Sequence, residues 1–141
     1  MSAGPAVEIA ITFVWLGMVL AISFLEAPLK FRAPDVTLPI GLGIGRLVFR
    51  ALNTLEVGFA LVILAIVAAG PTSSRIVLAF AVAFVALAVQ LIAVRPRLTR
   101  RSDQVLAGLD VPRSRGHYAY VALEAFKVVA LVVAGILLLT G

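Results

Sequence analysis

Residues 117–140 read HYAYVALEAFKVVALVVAGILLLT, and this stretch decides the fold. A transmembrane helix needs about 20 consecutive residues that are predominantly apolar, and the stretch reaches that length. Polar side chains recur inside it three or four positions apart, at His117, Tyr120, Glu124 and Lys127. Such spacing aligns side chains along one face of a helix. The stretch therefore predicts a membrane-spanning helix that carries one polar face.

Three further apolar runs of similar length precede this stretch, at residues 6–28, 47–69 and 76–95. The chain of 141 residues is 62% hydrophobic and 13% charged, with a mean hydropathy of +1.14. Soluble domains are about 45–50% apolar and about 25% charged, so this composition excludes a soluble protein of the same size. We expect an all-α fold, an integral membrane four-helix bundle that occupies residues 1–141 as a single domain.

The composition also excludes several kinds of chemistry. The chain has no cysteine and a single histidine, His117. Disulfides, thiolate metal sites and cysteine nucleophiles are therefore excluded, and no multi-histidine metal site can form within one chain. The net charge of +5 would suggest nucleic acid as the partner of a soluble domain. Here the expected partners are the lipid bilayer and anionic lipid head groups, and we expect no nucleic acid, metal or cofactor.

Two connecting segments interrupt the apolar runs, at residues 29–46 and 96–116. The first contains Pro34, Pro39 and three glycines, which break helices and predict a loop. The second is predicted to be a loop that holds a short surface helix beginning at Ser102.

The distribution of basic residues predicts the orientation, because cytoplasmic loops of membrane proteins carry an excess of Lys and Arg. Nine basic residues lie beside the two loops, against Arg75 alone on the opposite side. The nine are Lys30, Arg32, Arg46, Arg95, Arg97, Arg100, Arg101, Arg113 and Arg115. Both loops are therefore predicted to be cytoplasmic, and both termini to lie on the non-cytoplasmic side of a bacterial cytoplasmic (inner) membrane.

Polar and ionisable side chains within the predicted helices are the candidate ligand-binding residues. A charge at the centre of a spanning helix costs about 2.5–3.5 kcal/mol on insertion scales, so such residues are functional candidates. The candidates are Glu26, Arg46, Arg50, Asn53, Glu56, Gln90, His117, Tyr120, Glu124 and Lys127. We expect them in the cytoplasmic half of the bundle, around a polar cavity that narrows toward the bilayer centre. The other half is predicted to be apolar.

The helical rise predicts which of these charges meet. At about 1.5 Å per residue, Glu56 and Lys127 fall at similar depth near mid-membrane, so we expect them to pair. Glu124 is expected to pair with Arg50 or with Lys127. An alternative interpretation is that the buried charges form a structural salt-bridge network that fixes helix registry.

Some candidates have a simpler explanation. Arg46 and His117 lie near the predicted membrane boundary, where long or amphipathic side chains reach toward water and act as anchors. Trp15 and Tyr118 are interpreted as packing or interfacial aromatic residues.

Gly41, Gly43 and Gly45 lead directly to Arg46 at the predicted start of the second helix. Glycines before a helix N-terminus let backbone amides approach an anion, and the helix dipole favours negative charge there. The segment therefore suggests a site for a phosphate, a carboxylate or a lipid head group, with a flexible turn as the alternative.

Short motifs are distributed along the chain. The first helix carries Trp15-x-Gly17 with Phe24, Pro28 and Phe31, the second Phe49-x3-Asn53-x2-Glu56, and the fourth His117-x2-Tyr120-x3-Glu124-x2-Lys127. Together they resemble a group of small, uncharacterised bacterial membrane proteins with four spans. The resemblance implies the four-helix fold and no particular reaction.

Arg46, Asn53 and Glu56 also follow an Arg-x6-Asn-x2-Glu spacing. This is similar to the second helix of the MAPEG superfamily, which comprises glutathione-dependent membrane enzymes with four spans. The resemblance implies a lipophilic substrate, with glutathione held at the cytoplasmic side by these three residues. The sequence lacks the proline that usually follows the glutamate in that family, and it has Glu124 and Lys127 where the family is mostly apolar.

Three functional hypotheses follow from these features. The leading one is a protein that binds or translocates a small polar, anionic or amphipathic ligand in the charged cavity. The second is a membrane enzyme of MAPEG type, in which Glu56 or Glu124 acts as a base and Arg46 and Arg50 hold an anionic co-substrate such as glutathione. The third is an accessory subunit of a larger membrane complex. We expect a homo-oligomer, because four helices enclose little space for a pathway.

Overall fold

The computed structural model describes residues 3–109 and 115–141 and contains four helices in that part of the chain. They are α1 (Ala3–Lys30), α2 (Leu38–Ala69), α3 (Ser74–Leu106) and α4 (Arg115–Thr140). No strand occurs among the described residues, so the all-α prediction is confirmed for them. All four helices are long and apolar enough to cross a membrane. Arg113, one of the basic residues counted above, lies outside the described residues.

α2 begins earlier than predicted, so the expectation of a loop over residues 29–46 is wrong for its second half. The side chain of Thr37 caps the helix by accepting a hydrogen bond from the backbone nitrogen of Ile40, at 3.4 Å. Pro39 lies in the first helical turn, where a missing backbone N–H costs nothing. Gly41 donates its own N–H to the Thr37 carbonyl at 2.9 Å. The predicted anion site on a helix that starts at Arg46 is therefore wrong, because Arg46 lies inside the helix.

One of the α2 glycines, Gly41, is needed for close packing rather than for chain flexibility. A Cβ atom built on Gly41 would overlap the Phe31 ring, and one built on Gly45 would lie 2.9 Å from Lys30 Nζ, the end of a flexible side chain that can move aside. Gly43 has open space around the same position. The segment after α1 therefore folds back onto the bare face of α2, which explains why a glycine-rich sequence remains helical here.

Replacing Gly41 by alanine is expected to destabilise the protein, although alanine is the better helix former. The added methyl group overlaps the Phe31 ring, and overpacking of this kind costs about 1–3 kcal/mol. Gly43→Ala is the matched control and is expected to stabilise by up to about 1 kcal/mol through helix propensity. Equilibrium unfolding of both variants in mixed micelles measures the difference. Equal effects of the two substitutions would contradict the packing of Phe31 on Gly41.

α3 also continues past its predicted end at residue 95, through Pro96 to Leu106. A π-helical segment, Gln90–Val94, precedes the proline, and α1 contains a similar segment, Leu20–Glu26, before Pro28. The wider π turn shifts the hydrogen-bond register, which lets the helix accommodate a residue without an N–H. The predicted helix start at Ser102 is therefore wrong, because the residue lies inside α3.

The four helices enclose an apolar core. α4 packs mainly on α3 and α1, while α2 packs on α1 and on the C-terminal part of α3. The largest apolar core side chains are Trp15, Leu16, Ile63, Ile76, Phe80, Leu87 and Leu131. The outward faces remain apolar, with Leu47, Leu78 and Ile92 each 66% exposed or more. This arrangement directs the polar residues of each helix toward the interior, where they meet.

Candidate functional site

Three ionisable side chains meet in the interior and are called here the buried ionic cluster: Glu56, Glu124 and Lys127. Lys127 Nζ lies 2.5 Å from Glu56 Oε2 and 2.6 Å from Glu124 Oε1. None of the three side chains is more than 1% exposed. The lysine thus contacts both of the carboxylates that the sequence proposed as partners for it.

Gln90 connects this cluster to α3. Its side-chain oxygen accepts a hydrogen bond from Lys127 Nζ at 2.7 Å, and its nitrogen donates to Glu124 Oε1 at 2.6 Å. The same nitrogen is 3.3 Å from the backbone carbonyl oxygen of Tyr120. Gln90 is fully buried, so these contacts replace the water that a polar side chain would otherwise need.

α1 supplies two donors that sequence reasoning missed. Trp15 Nε1 donates to Glu56 Oε2 at 2.8 Å, and the Ser23 hydroxyl donates to Glu124 Oε2 at 2.5 Å. A helical periodicity that places Thr12, Trp15 and Ser23 on one face was the signal that could have identified them. All four helices therefore hold the cluster.

A cavity of about 420 Å³, called here the basic cavity, lies beside this cluster. It forms where the C-terminal ends of α1 and α3 meet the N-terminal parts of α2 and α4. The basic side chains that line it are Lys30, Arg46, Arg95, Arg101 and His117. Among the described lining residues the acidic one is Glu124, which therefore belongs to both the cavity and the cluster.

The basic residues of the cavity differ in what already contacts them. Arg46 forms an ion pair with Asp103 at 2.8 Å, and Lys30 lies 3.7 Å from Glu26. Arg95 is half-buried, and its Nη1 is buried with no hydrogen-bond partner among the described residues. Sequence reasoning used Arg95 only for the orientation, as a basic residue at the end of the third helix beside the loop. Because the π segment Gln90–Val94 lets α3 continue through Pro96, Arg95 lies within the helix and lines the cavity.

The remaining predicted site residues differ in where they lie relative to the basic cavity. Tyr120 lines the cavity, and its hydroxyl lies 3.4 Å from Asn53 Oδ1 in the buried region next to it. Glu26 lies near the cavity as the partner of Lys30. Arg50 is exposed, so its predicted place inside the cavity is wrong. It is absent from the residues that line the cavity, and Lys127 takes the role of partner to Glu124.

The other half of the bundle is less apolar than predicted. Glu8 is only 5% exposed, and its Oε1 has no hydrogen-bond partner among the described residues. Thr12, one turn later, is fully buried and donates its hydroxyl to the Glu8 carbonyl at 2.7 Å. The expectation of an apolar second half is therefore wrong at this end of α1.

These features define the class of molecule: a four-helix chain with membrane-spanning length and apolarity, in which a buried ionic cluster lies beside a basic cavity. No protein-family model, curated protein or solved structure matches the chain. The two family resemblances given above therefore stay predictions.

Proposed function

We propose that the chain is an integral membrane protein that binds a small amphipathic anion in the basic cavity. The observation that carries this proposal is the composition of the lining. Cationic side chains from α1, α2 and α3 share the cavity with the apolar side chains Phe24, Phe31, Phe49, Leu98 and Val121. Ligand sites are mostly apolar with a small number of placed polar groups, and this lining has that character.

Arg95 is the residue best placed to bind the anionic group. Its guanidinium has a buried donor with no hydrogen-bond partner within residues 3–109 and 115–141, whereas Arg46 is engaged by Asp103. A buried donor without a partner raises the free energy of the empty site, and an anion that accepts its hydrogen bond removes that cost. Charge-assisted hydrogen bonds to arginine are also the stronger kind.

Binding is favoured over conduction and over catalysis by the buried ionic cluster. The cluster and its polar partners fill the interior beyond the cavity, and the apolar core around Trp15 and Ile63 lies next to them. A ligand that enters the basic cavity therefore meets a closed end. Lys127 contacts both carboxylates of the cluster, so neither is available as an unengaged base. The MAPEG-type enzyme and the accessory subunit stay alternatives.

Arg95→Gln is expected to weaken binding of such an anion by about tenfold or more, because a hydrogen bond to a charged group is worth about 1.5–3 kcal/mol. Calorimetry with 1-octanesulfonate and protein in lipid nanodiscs measures the affinity, and empty nanodiscs correct for partitioning into lipid. Arg97→Gln is the matched control, since Arg97 lies two residues away and is exposed. Equal affinities of the two variants would overturn the proposed role of the cavity.

We place the basic cavity at the cytoplasmic side of a bacterial inner membrane. The support is the excess of Lys and Arg at that end of the bundle, where exposed side chains such as Arg97 and Arg100 face anionic lipid head groups. Copies of the chain are proposed to associate through the exposed apolar faces of their helices.

Cysteines introduced at positions 97 and 141 are expected to react with a membrane-impermeant maleimide from opposite sides of the membrane. The chain has no cysteine of its own, so each variant reports a single position. Position 141 should be labelled from the periplasmic side, and position 97 only after the membrane is permeabilised. Labelling of both positions from one side would show that the proposed topology is wrong.

A further inference from the structure

Arg95 lies among groups of its own charge. Within residues 3–109 and 115–141, its electrostatic interactions are with Tyr120, Arg50 and Arg46, and none of them is with a carboxylate. Arg46 and Arg50 are four positions apart on α2, a spacing that places two like charges side by side on a helix and makes them repel. A bound anion would remove the repulsion among the three guanidinium groups.

Two of these guanidinium groups line the basic cavity and can share one ligand. Arg95 has a buried Nη1 with no hydrogen-bond partner in the part of the chain that the structure describes. Arg46 contacts Asp103 through Nη2, and the Asp103 side chain is 58% exposed. An ion pair this open to solvent contributes little, and a guanidinium carries five N–H donors. Arg46 can therefore bind an anion together with Arg95.

The number of guanidinium groups indicates the charge of the head group. A sulfonate or a phosphodiester carries one negative charge. A phosphomonoester carries about −1.5 to −2 at neutral pH and offers three acceptor oxygens. Arginine also binds phosphate through two parallel hydrogen bonds. A phosphomonoester thus matches Arg95 and Arg46 better than a monoanion does.

The cavity has room for more than a head group. Its volume of about 420 Å³ lies in the range of about 300–1,000 Å³ that is typical of pockets for whole small molecules. Beside the arginines it is lined by apolar side chains that include Phe24, Phe49 and Val121. An apolar chain attached to the phosphate therefore has a surface to pack on.

This apolar part of the cavity opens to the outside of the bundle between α1 and α4. α1 has no buried residue from Leu20 to Lys30. Phe24 on α1 and Val121 on α4 line the cavity and are nevertheless 42% and 43% exposed. The hydrogen bond from Ser23 to Glu124 joins the same two helices beside this opening. In a membrane the opening faces lipid chains, so a ligand can enter from the bilayer.

We infer that the ligand of the basic cavity is a lipid phosphomonoester, with its head group bound between Arg95 and Arg46 and its chain leaving the cavity between α1 and α4. This inference rests on the proposed function and names the class of anion. It commits to a lipid as the source of the phosphate, and free phosphate is an outcome of the test.

The head group is tested by comparing octyl phosphate with 1-octanesulfonate, which has the same chain and one negative charge. Octyl phosphate is almost fully dianionic at about pH 8, since the second pKa of such a phosphate is about 6. Calorimetry in phosphatidylcholine nanodiscs, corrected with empty nanodiscs, measures both affinities. We expect octyl phosphate to bind about tenfold more tightly, because it adds a charge-assisted contact. Arg46→Gln should abolish most of this preference, whereas Arg32→Gln, at an exposed position outside the cavity, should keep it.

The chain is tested with inorganic phosphate and with a variant that fills the opening. Inorganic phosphate is expected to bind at least about a hundredfold more weakly than octyl phosphate, since each methylene group removed from water contributes a factor of about four. Val121→Trp should weaken octyl phosphate by about tenfold and leave inorganic phosphate unchanged. Val129→Trp is the matched control, because Val129 is an exposed residue of α4 outside the cavity.

The results separate this inference from the proposed function. A preference for octyl phosphate that needs Arg46, with a chain effect that needs an open position 121, supports the inference. Equal, Arg95-dependent binding of octyl phosphate and 1-octanesulfonate overturns it and leaves the proposed function standing, as does a preference that survives both Arg46→Gln and Val121→Trp. Inorganic phosphate bound as tightly as octyl phosphate identifies a soluble anion and overturns the inference. Absence of binding of all three probes overturns the proposed function as well.

Discussion

Replacing Lys127 by methionine is expected to destabilise the protein by about 3–5 kcal/mol, because it leaves two buried carboxylates without their cation. Lys127 Nζ is within 2.6 Å of both Glu56 and Glu124, and none of the three side chains is more than 1% exposed. Methionine retains most of the volume of the lysine side chain, so loss of packing contributes little. Equilibrium unfolding in mixed micelles, followed by far-ultraviolet circular dichroism, measures the loss.

A rescue experiment separates the charge effect from any effect of shape. Lys127→Met combined with Glu56→Gln is expected to recover only part of the stability, because Glu124 then stays buried without a cationic partner. Adding Glu124→Gln should recover most of it, because the site is then neutral and keeps polar partners in Gln90 and Ser23. If Lys127 paired with Glu56 alone, Glu56→Gln would already recover most of the stability. Recovery that also requires Glu124→Gln shows that Lys127 neutralises both carboxylates.

Lys30→Met is the matched control for the first substitution. Lys30 contacts Glu26 at 3.7 Å beside the cavity, where the Lys30 side chain is 10% and the Glu26 side chain 36% exposed. Because this separation is longer than a hydrogen bond and the carboxylate is open to solvent, we expect the substitution to cost about 1 kcal/mol. A loss for Lys127→Met as small as that for Lys30→Met would contradict the buried ionic cluster.

Much of the fold was predictable from sequence because the bilayer imposes a length and a polarity on each helix. The four apolar runs set the four helices, and the periodicity of residues 117–140 placed Glu124 and Lys127 on one face. The pairing of Glu56 with Lys127 followed from counting residues along the second and fourth helices, which are predicted to cross the membrane in the same direction. These inferences need only the distance along a helix, which follows from the number of residues and the rise per residue.

Features that depend on contacts between helices were not predictable in the same way. Gly41 and Gly45 suggested a loop, since nothing local shows that Phe31 and Lys30 pack onto them. Arg95 was placed at the end of the third helix because Pro96 normally ends a helix, and the π segment that accommodates this proline has no clear sequence signal. Trp15 could be assigned to packing but not to a hydrogen bond, because its partner is 41 residues away.

Trp15→Ala is the second substitution with a large expected effect, a loss of about 4 kcal/mol or more. Trp15 is fully buried, and its ring stacks on Phe84 at a centroid distance of 6.1 Å. Truncation of a buried tryptophan to alanine costs about 3–5 kcal/mol through the cavity that it leaves. Loss of the hydrogen bond to Glu56 adds to this cost, because the carboxylate stays buried with fewer donors.

Trp15→Phe divides these two contributions, since phenylalanine keeps an aromatic ring but has no N–H donor. Its expected cost is about 1–3 kcal/mol, the range for depriving a buried polar group of a hydrogen-bond partner. That cost should decrease when Glu56→Gln is also present, because burying a neutral amide with one hydrogen bond missing costs less free energy than burying a carboxylate in the same state. Phe126→Ala is the control for removing an aromatic ring from an outward face, where Phe126 is 63% exposed. If Trp15→Phe costs the same with Glu56 and with glutamine at that position, Trp15 stabilises the protein by packing alone and does not support the buried charge.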